Sequence, residues 1–191
     1  MKLVFATHNQ NKLREVQLLM PKNITLLSLS DIDCTEEIPE TAETLEGNAK
    51  IKADYVTQNY GLPCFADDTG LLIEALNGAP GVYSARYAGE QKNDEDNINK
   101  LLKALTTKNR SAHFKTVIAL NLNNESHFFE GTVFGLISKK KIGNGGFGYD
   151  PIFIPNEFKQ TFAELPMSTK NKISHRGKAL QKLIAYLKTL N

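Results

Sequence analysis

GNGGFG, residues 143–148, spells the G-x-G-x-x-G dinucleotide fingerprint, and YDPIFIP, residues 149–155, decides whether the fold is a doubly wound one. A working fingerprint follows the first strand of a β-α-β unit and opens a helix whose N-terminus meets a pyrophosphate. Here the glycines follow a strand-like run, but Pro151 and the β-rich Ile152-Phe153-Ile154 argue against a helix after them. No second parallel unit with an acidic ribose ligand follows. The dinucleotide reading fails on context. Four glycines in six positions around Phe147 then suit a flexible loop that lets an aromatic ring lie flat on a ligand. The plainer alternative is a tight turn with Phe147 and Tyr149 in the core.

Working outward, AHFKTVIALNLN (112–123) and ESHFFEGTVFGLISKK (125–140) are β-rich runs that meet at Asn123-Asn124, a hairpin signal. At the N-terminus KLVFA (2–6) reads as a buried strand. Leu13, Val16, Leu19 and Met20 then recur at helical spacing until Pro21, and residues 24–29 form a second strand. A longer helix runs from about Thr44 to Tyr60 and ends at Gly61 in the left-handed conformation. LPCFADDTGLLIEAL (62–76) reads as strand, polar turn, strand. Asn93 or Asp94 caps a helix through Ala104, with Asp94, Glu95 and Asp96 at its positive end. From His175, the residues Ala179, Leu180, Leu183, Ile184 and Leu187 share one helical face. A hairpin interrupts the strand–helix alternation, so an α/β protein with a mixed sheet flanked by helices is expected.

The bulk properties bound the function. A chain of 191 residues builds one substantial core, and a single domain over 1–191, with two lobes allowed, is the expectation. Apolar content of 41% and charged content of 23% are those of a soluble globular protein. A net charge of +2 leaves no footprint for a nucleic-acid polymer or an acidic membrane. Lys139-Lys140-Lys141 reads as a solvated turn. Cys34 and Cys64 form neither a disulfide framework nor a zinc spacing, which fits a reducing cytoplasm. The apolar start of MKLVFATHNQ is too brief for a signal peptide, and no stretch approaches a membrane span.

Two segments invite phosphate. Where KLVFA runs through THNQNK into a helix, free N–H groups lie beside Thr7, Asn9 and Asn11. Lys12 and Arg14 stand near that positive helix end, which is unfavourable unless an anion binds there; simple Asn capping with exposed cations is the alternative. The pattern recurs at ISHRG: Ser174 as N-cap puts His175 and Arg176 in a first turn, with Lys170 and Lys172 upstream. Against this, a His-Arg pair is more often exposed surface. Chemistry is expected at FADDTG. Asp67 and Asp68 repel each other where a buried strand emerges, and hard oxygen ligands near phosphate point to Mg²⁺. Glu36, Glu37, Glu40 and Glu43 are further ligand candidates, and Asn48 and Lys52 share a helix face that could serve the same place. A solvated Asx turn is the plainer reading of the pair.

Taken together, THNQNKLRE, NAKIKA, FADDTGL, GAPGVYSARYAGE, GGFGYDPIF and ISHRGKAL resemble, in this order, the inosine triphosphate pyrophosphatase family, across nearly the whole chain. The resemblance implies an elongated mixed sheet with two lobes around a central nucleotide-binding cleft. It also implies a Mg²⁺-dependent homodimer that hydrolyses ITP, dITP and XTP to the monophosphate and pyrophosphate. By the same resemblance, Asp68 is the catalytic acidic residue and a metal ligand, with Glu40 as the second ligand. Thr7, His8, Asn9, Gln10, Asn11 and Lys12 contact phosphate, joined by Thr69, while Lys52 holds the triphosphate. Phe147, Gly148, Tyr149 and Asp150 match the base loop, Lys170 a nucleotide-binding lysine, and His175-Arg176 the pair near the purine. Two departures stand out: Gly47 replaces a usual Glu, and His8 replaces a usual small residue. Phe147 stacked on the purine, with loop or His175-Arg176 donors on its 6-oxo group, would reject adenine. The competing readings are a pyrophosphatase for other modified nucleotides and a nucleotide-binding module without hydrolysis.

Overall fold

The computed structural model describes residues 1–190. Seven strands form one mixed sheet: β1 (Lys2–Phe5), β2 (Thr25–Leu27), β3 (Cys64–Ile73), β4 (Pro80–Gly81), β5 (Ser111–Leu122), β6 (Glu125–Ile137) and β7 (Phe153–Pro155). Their order is β2-β1-β3-β5-β6-β7, with β4 on β3. β1 pairs in parallel with β2 and β3, while β4 on β3 and β7 on β6 are antiparallel. Five helices accompany the sheet: α1 (Gln10–Leu19), α2 (Leu45–Tyr60), α3 (Asp94–Ala104), α4 (Met167–Ile173) and α5 (His175–Lys188). The α/β class with a mixed sheet is as the hairpin implies, and Asn123 and Asn124 both turn in the left-handed region that a two-residue hairpin needs.

Local chemistry sets the ends of these elements. Asn9, Thr44 and Asn93 each accept from a first-turn amide of α1, α2 and α3 through their side chains. Gly61 closes α2 in the left-handed region at φ 65. The second strand is shorter than expected, three residues rather than six. α4 has no counterpart in the sequence reading: MSTKNKI is short and polar, without an apolar stripe to mark it.

The chain divides into two compact units. One comprises Met1–Asp68, Thr116–Gly131 and the chain from Arg176; the other comprises Thr69–Lys115 and Thr132–His175. In the first unit, strand alternation sorts side chains to two faces. Leu3, Phe5 and Phe65 pack with Leu13 and Val16 of α1 and Leu180, Leu183 and Leu187 of α5. Val4, Ala6, Cys64 and Ala66 pack with Ala49, Ala53 and Val56 of α2. Both faces are covered, as parallel pairing requires. The second unit is centred on Leu71 and Ile73 of β3, Ile98 and Leu101 of α3, Phe114, Val133, Phe153 and Phe162.

Candidate active site

The expected polar turn at Asp67-Asp68 does not exist. β3 runs unbroken through CFADDTGLLI, and both carboxylates are buried in it. The strand's period of two resolves the repulsion that the adjacent pair suggested, because neighbouring side chains leave on opposite faces. Asp67 shares the face of Phe65, toward α1 and α5; Asp68 shares the face of Cys64 and Ala66, toward α2.

On the first face, Lys12 Nζ lies 2.9 Å from Asp67 Oδ1, and Arg176 Nε lies 3.0 Å from Asp67 Oδ2. Arg176 Nη1 also reaches Glu15 Oε2 at 2.5 Å. Arg176 is 3% exposed and Glu15 likewise 3%, so this is an internal ion network and not an exposed His-Arg surface. The cations at two helix N-termini thus answer one buried carboxylate, and Lys12 and Arg176 do not by themselves announce a polyanionic ligand. Burial pushes the Asp67 carboxyl up, but Lys12, Arg176 and Lys52 together hold it well below the ordinary carboxylate range. For Lys12 burial wins and lowers the ammonium, against the pull of Asp67.

On the second face, Asn48 Nδ2 donates to Asp68 Oδ2 at 3.1 Å, and Lys52 Nζ stands 3.8 Å from Asp68 Oδ1 and 2.6 Å from Glu40 Oε1. Asn48 and Lys52 do share a face of α2 and do meet Asp68. Burial, with Glu40's charge adding to it, raises the Asp68 carboxyl above its ordinary value despite Lys52 and Lys12. The same carboxylates raise Lys52, overcoming the opposing effect of its own burial. Asp68 and Glu40 therefore aim oxygens at one cationic position, a donor set of two hard carboxylates that fits a divalent ion completed by substrate phosphates. Among the described residues no group of three or more His, Cys, Asp and Glu side chains is arranged to hold a metal. Glu36, Glu37 and Glu43 are exposed.

The THNQNK turn precedes α1 in the same unit. Asn9 Oδ1 accepts from the amides of Asn11 and Lys12, and Thr7 Oγ1 accepts from the Asn9 amide, so these donors already serve the cap. His8 Nε2 meets the Glu36 carbonyl at 2.9 Å. His8, Asn9, Gln10 and Asn11 are exposed.

In the second unit, Thr69 follows on β3 and is half-buried. Lys170 is 3% exposed and its Nζ lies 2.5 Å from Asp150 Oδ2, with the same ammonium 4.8 Å from the Phe147 ring centroid. Asp150 Oδ2 also accepts from the Phe147 amide at 2.9 Å. Tyr149 is buried and donates its hydroxyl to the Ser84 carbonyl at 2.8 Å, so its ring anchors the loop in the core and is not a free face for a ligand. Phe147 is half-buried. The glycines do not chiefly make room for a ligand: a Cβ at Gly146 would strike the Asp150 carboxylate, and one at Gly145 would lie 2.8 Å from the Ala163 carbonyl oxygen. His175 is buried and stacks on Phe114 at 4.5 Å and 16°.

A model of the Ham1 family matches residues 3–186. The chain belongs to the Ham1 family. A relative from Flavobacterium johnsoniae, named dITP/XTP pyrophosphatase, is 64% identical over 188 residues, covering 98% of each chain. One of the same name from Bacillus subtilis is 46% identical over 185 residues, covering 94% of this chain and 93% of its own. The solved Ham1 protein of Staphylococcus aureus matches with a TM-score of 0.91 at 40% identity, over 100% of both chains. This is the inosine triphosphate pyrophosphatase family that the motifs resemble. Within this Ham1 chain, the sequence reading passed over Glu15. The available signal was its position three residues after Lys12 and beside Val16, on the inward side of α1, where a buried carboxylate requires a cation.

Proposed function

We propose that this Ham1 chain hydrolyses the non-canonical purine triphosphates ITP, dITP and XTP to the monophosphate and pyrophosphate. The observation that carries the reading is Asp68: a buried carboxylate held at one oxygen by Asn48, with Lys52 off the other and a raised affinity for a proton. That is the condition of a general base. The relatives named dITP/XTP pyrophosphatase support the substrate class.

Lys12 and Lys52 place positive charge at the triphosphate, and the segment Thr7, His8, Asn9, Gln10 and Asn11, with Thr69, binds its oxygens. Asp68 and Glu40 would hold Mg²⁺, which when bound supplies charge neutralisation on phosphate oxygens. Asn48 donates to Asp68 Oδ2 and so orients the carboxylate that takes the proton of a water. The water oxygen bonds to the α-phosphorus, the bond from that phosphorus to the bridging oxygen breaks, and pyrophosphate leaves with the electron pair. Phe147 stacks on the purine; Gly148, Tyr149, Asp150, Lys170 and His175 shape and hold the base-reading loop. Arg176 acts one step back, by fixing Asp67 and through it Lys12. The whole chain, 1–191, serves as one catalytic domain. It works as a homodimer, in the cytoplasm where the nucleotide pool lies; among the described residues no helix is long and apolar enough to cross a membrane.

Pyrophosphate release from ITP, dITP and XTP in Mg²⁺, with ATP and a set of modified pyrimidine triphosphates as controls, tests the reading. Rapid release from the 6-oxo purines and slow release from ATP is the expected result. Turnover confined to modified pyrimidines, or nucleotide binding without release, would overturn it. Light scattering of the eluted protein reports the dimer.

A further inference from the structure

Residues 147–149 are held at three consecutive points. The Phe147 amide donates to Asp150 Oδ2 at 2.9 Å, the Gly148 amide to Asp94 Oδ2 at 2.7 Å, and the Tyr149 hydroxyl to the Ser84 carbonyl. The first and third anchors are buried. The middle one is exposed, and it comes from the first turn of α3. Gly148 sits at φ 59 with open space where a Cβ would stand, since no atom lies within 4 Å of that position. The Gly148 amide is held by its hydrogen bond to Asp94, seconded by Glu95, whose Oε2 lies 2.5 Å from Lys141 Nζ at the start of the loop.

From this geometry we infer that Asp94 is a positioning residue for the base-reading loop: by holding the Gly148 amide it fixes the plane of the Phe147 ring. Both amides flanking the Phe147 side chain are thereby committed to carboxylates, Asp150 on one side and Asp94 on the other. They are not the donors that read the purine's 6-oxo group, and their task is to set the ring's orientation. The bond is exposed, so water competes with it, and its loss loosens the loop without unfolding the unit. Asp96, two residues on, bonds Gln91 Nε2 and serves as the neighbouring control carboxylate.

The inference rests on the proposed purine reading, and two measurements separate their failures. Asp94→Ala is expected to raise KM for ITP about three- to tenfold, the range one net hydrogen bond supplies, with kcat held within about twofold. Asp94→Asn, which keeps an acceptor, restores most of the loss, and Asp96→Ala changes neither constant. In the free protein, amide exchange of the peptide that contains Gly148 should accelerate in Asp94→Ala alone. An unchanged KM, or a fall in kcat and Tm with KM untouched, overturns the positioning role. A wild-type chain inactive on ITP ends the functional reading instead, and exchange at Gly148 then decides whether Asp94 holds the loop: unaltered exchange overturns it, faster exchange supports it.

Discussion

Asp67 and Asp68 are neighbours with opposite electrostatics, and the pleat of one strand is the reason. Asp67 has its carboxyl held below the ordinary range, so its ionic contribution is fully present above the unfolded carboxylate pKa and is lost as pH falls toward the folded one. Asp68 has the reverse sign. Its raised carboxyl favours the protonated fold at low pH, and that contribution disappears as pH rises through the folded value. In the metal-free protein the Asp68 carboxyl should titrate above the range of an unperturbed aspartate, followed by carboxyl NMR, and Mg²⁺ should draw it down. Asp68→Asn should lower kcat by about 10²- to 10⁴-fold, the worth of a general base, while ITP still binds by calorimetry. Stability should follow Asp67 and its partners. Glu15→Gln leaves the buried Arg176 with one anion fewer, and Arg176→Met takes from Asp67 and Glu15 the cation they share. Arg176→Met is the more severe, at about 3–5 kcal/mol by urea denaturation at neutral pH, with the loss shrinking as Asp67 is protonated in acid.

α2 shows what the sequence makes legible and what it hides. Its ends are written in single residues: Thr44 caps the Gly47 amide, and Gly61 takes the left-handed turn with no neighbour in the way. Gly61→Ala therefore meets only conformational strain and should cost about 1–2 kcal/mol in thermal unfolding. The hairpin at Asn123-Asn124, the cap at Asn93 and the apolar face of α5 were equally readable, because each depends on local chemistry. β3 was not. Two carboxylates inside a strand contradict its propensity, and the compensation comes from residues 12, 52 and 176, far along the chain. The buried Glu15 and the pairing of Lys170 with Asp150 escaped for the same reason, and α4 because it has no stripe. Gly47, noted as a departure, acquires a physical meaning. A Cβ there would lie 2.6 Å from the Ala42 Cβ, so the acidic segment packs down on α2, where the Ala42 amide meets Asn48 Oδ1. Gly47→Ala should help the helix by up to about 1 kcal/mol in propensity yet displace the segment that carries Glu40. The expected outcome is a higher Mg²⁺ concentration for half-maximal rate with little change in Tm; unchanged Mg²⁺ dependence would separate Glu40 from the metal.

At the scale of the molecule, the two compact units carry different chemistry. The carboxylates, Lys12, Lys52 and Asn48 belong to one; Phe147, Asp150, Lys170 and His175 belong to the other. Their boundaries fall inside β3, β5 and β6 and between His175 and Arg176, so neither unit is a continuous piece of chain. If the first handles phosphate and the second handles the base, substitutions should divide by kinetic constant and not merely by severity. Asn48→Ala removes a hydrogen bond to a charged oxygen of Asp68. It should lower kcat on ITP by about tenfold or more with KM nearly unchanged. Phe147→Ala removes the stacking surface and should raise KM by the equivalent of about 1–3 kcal/mol with kcat largely kept. The double variant should lose kcat/KM as the sum of the two free energies, within about 0.5 kcal/mol, as independent sites do. A double variant no worse than Asn48→Ala alone would mean that the ring acts in the chemical step, and the division of labour between the units would fall with it.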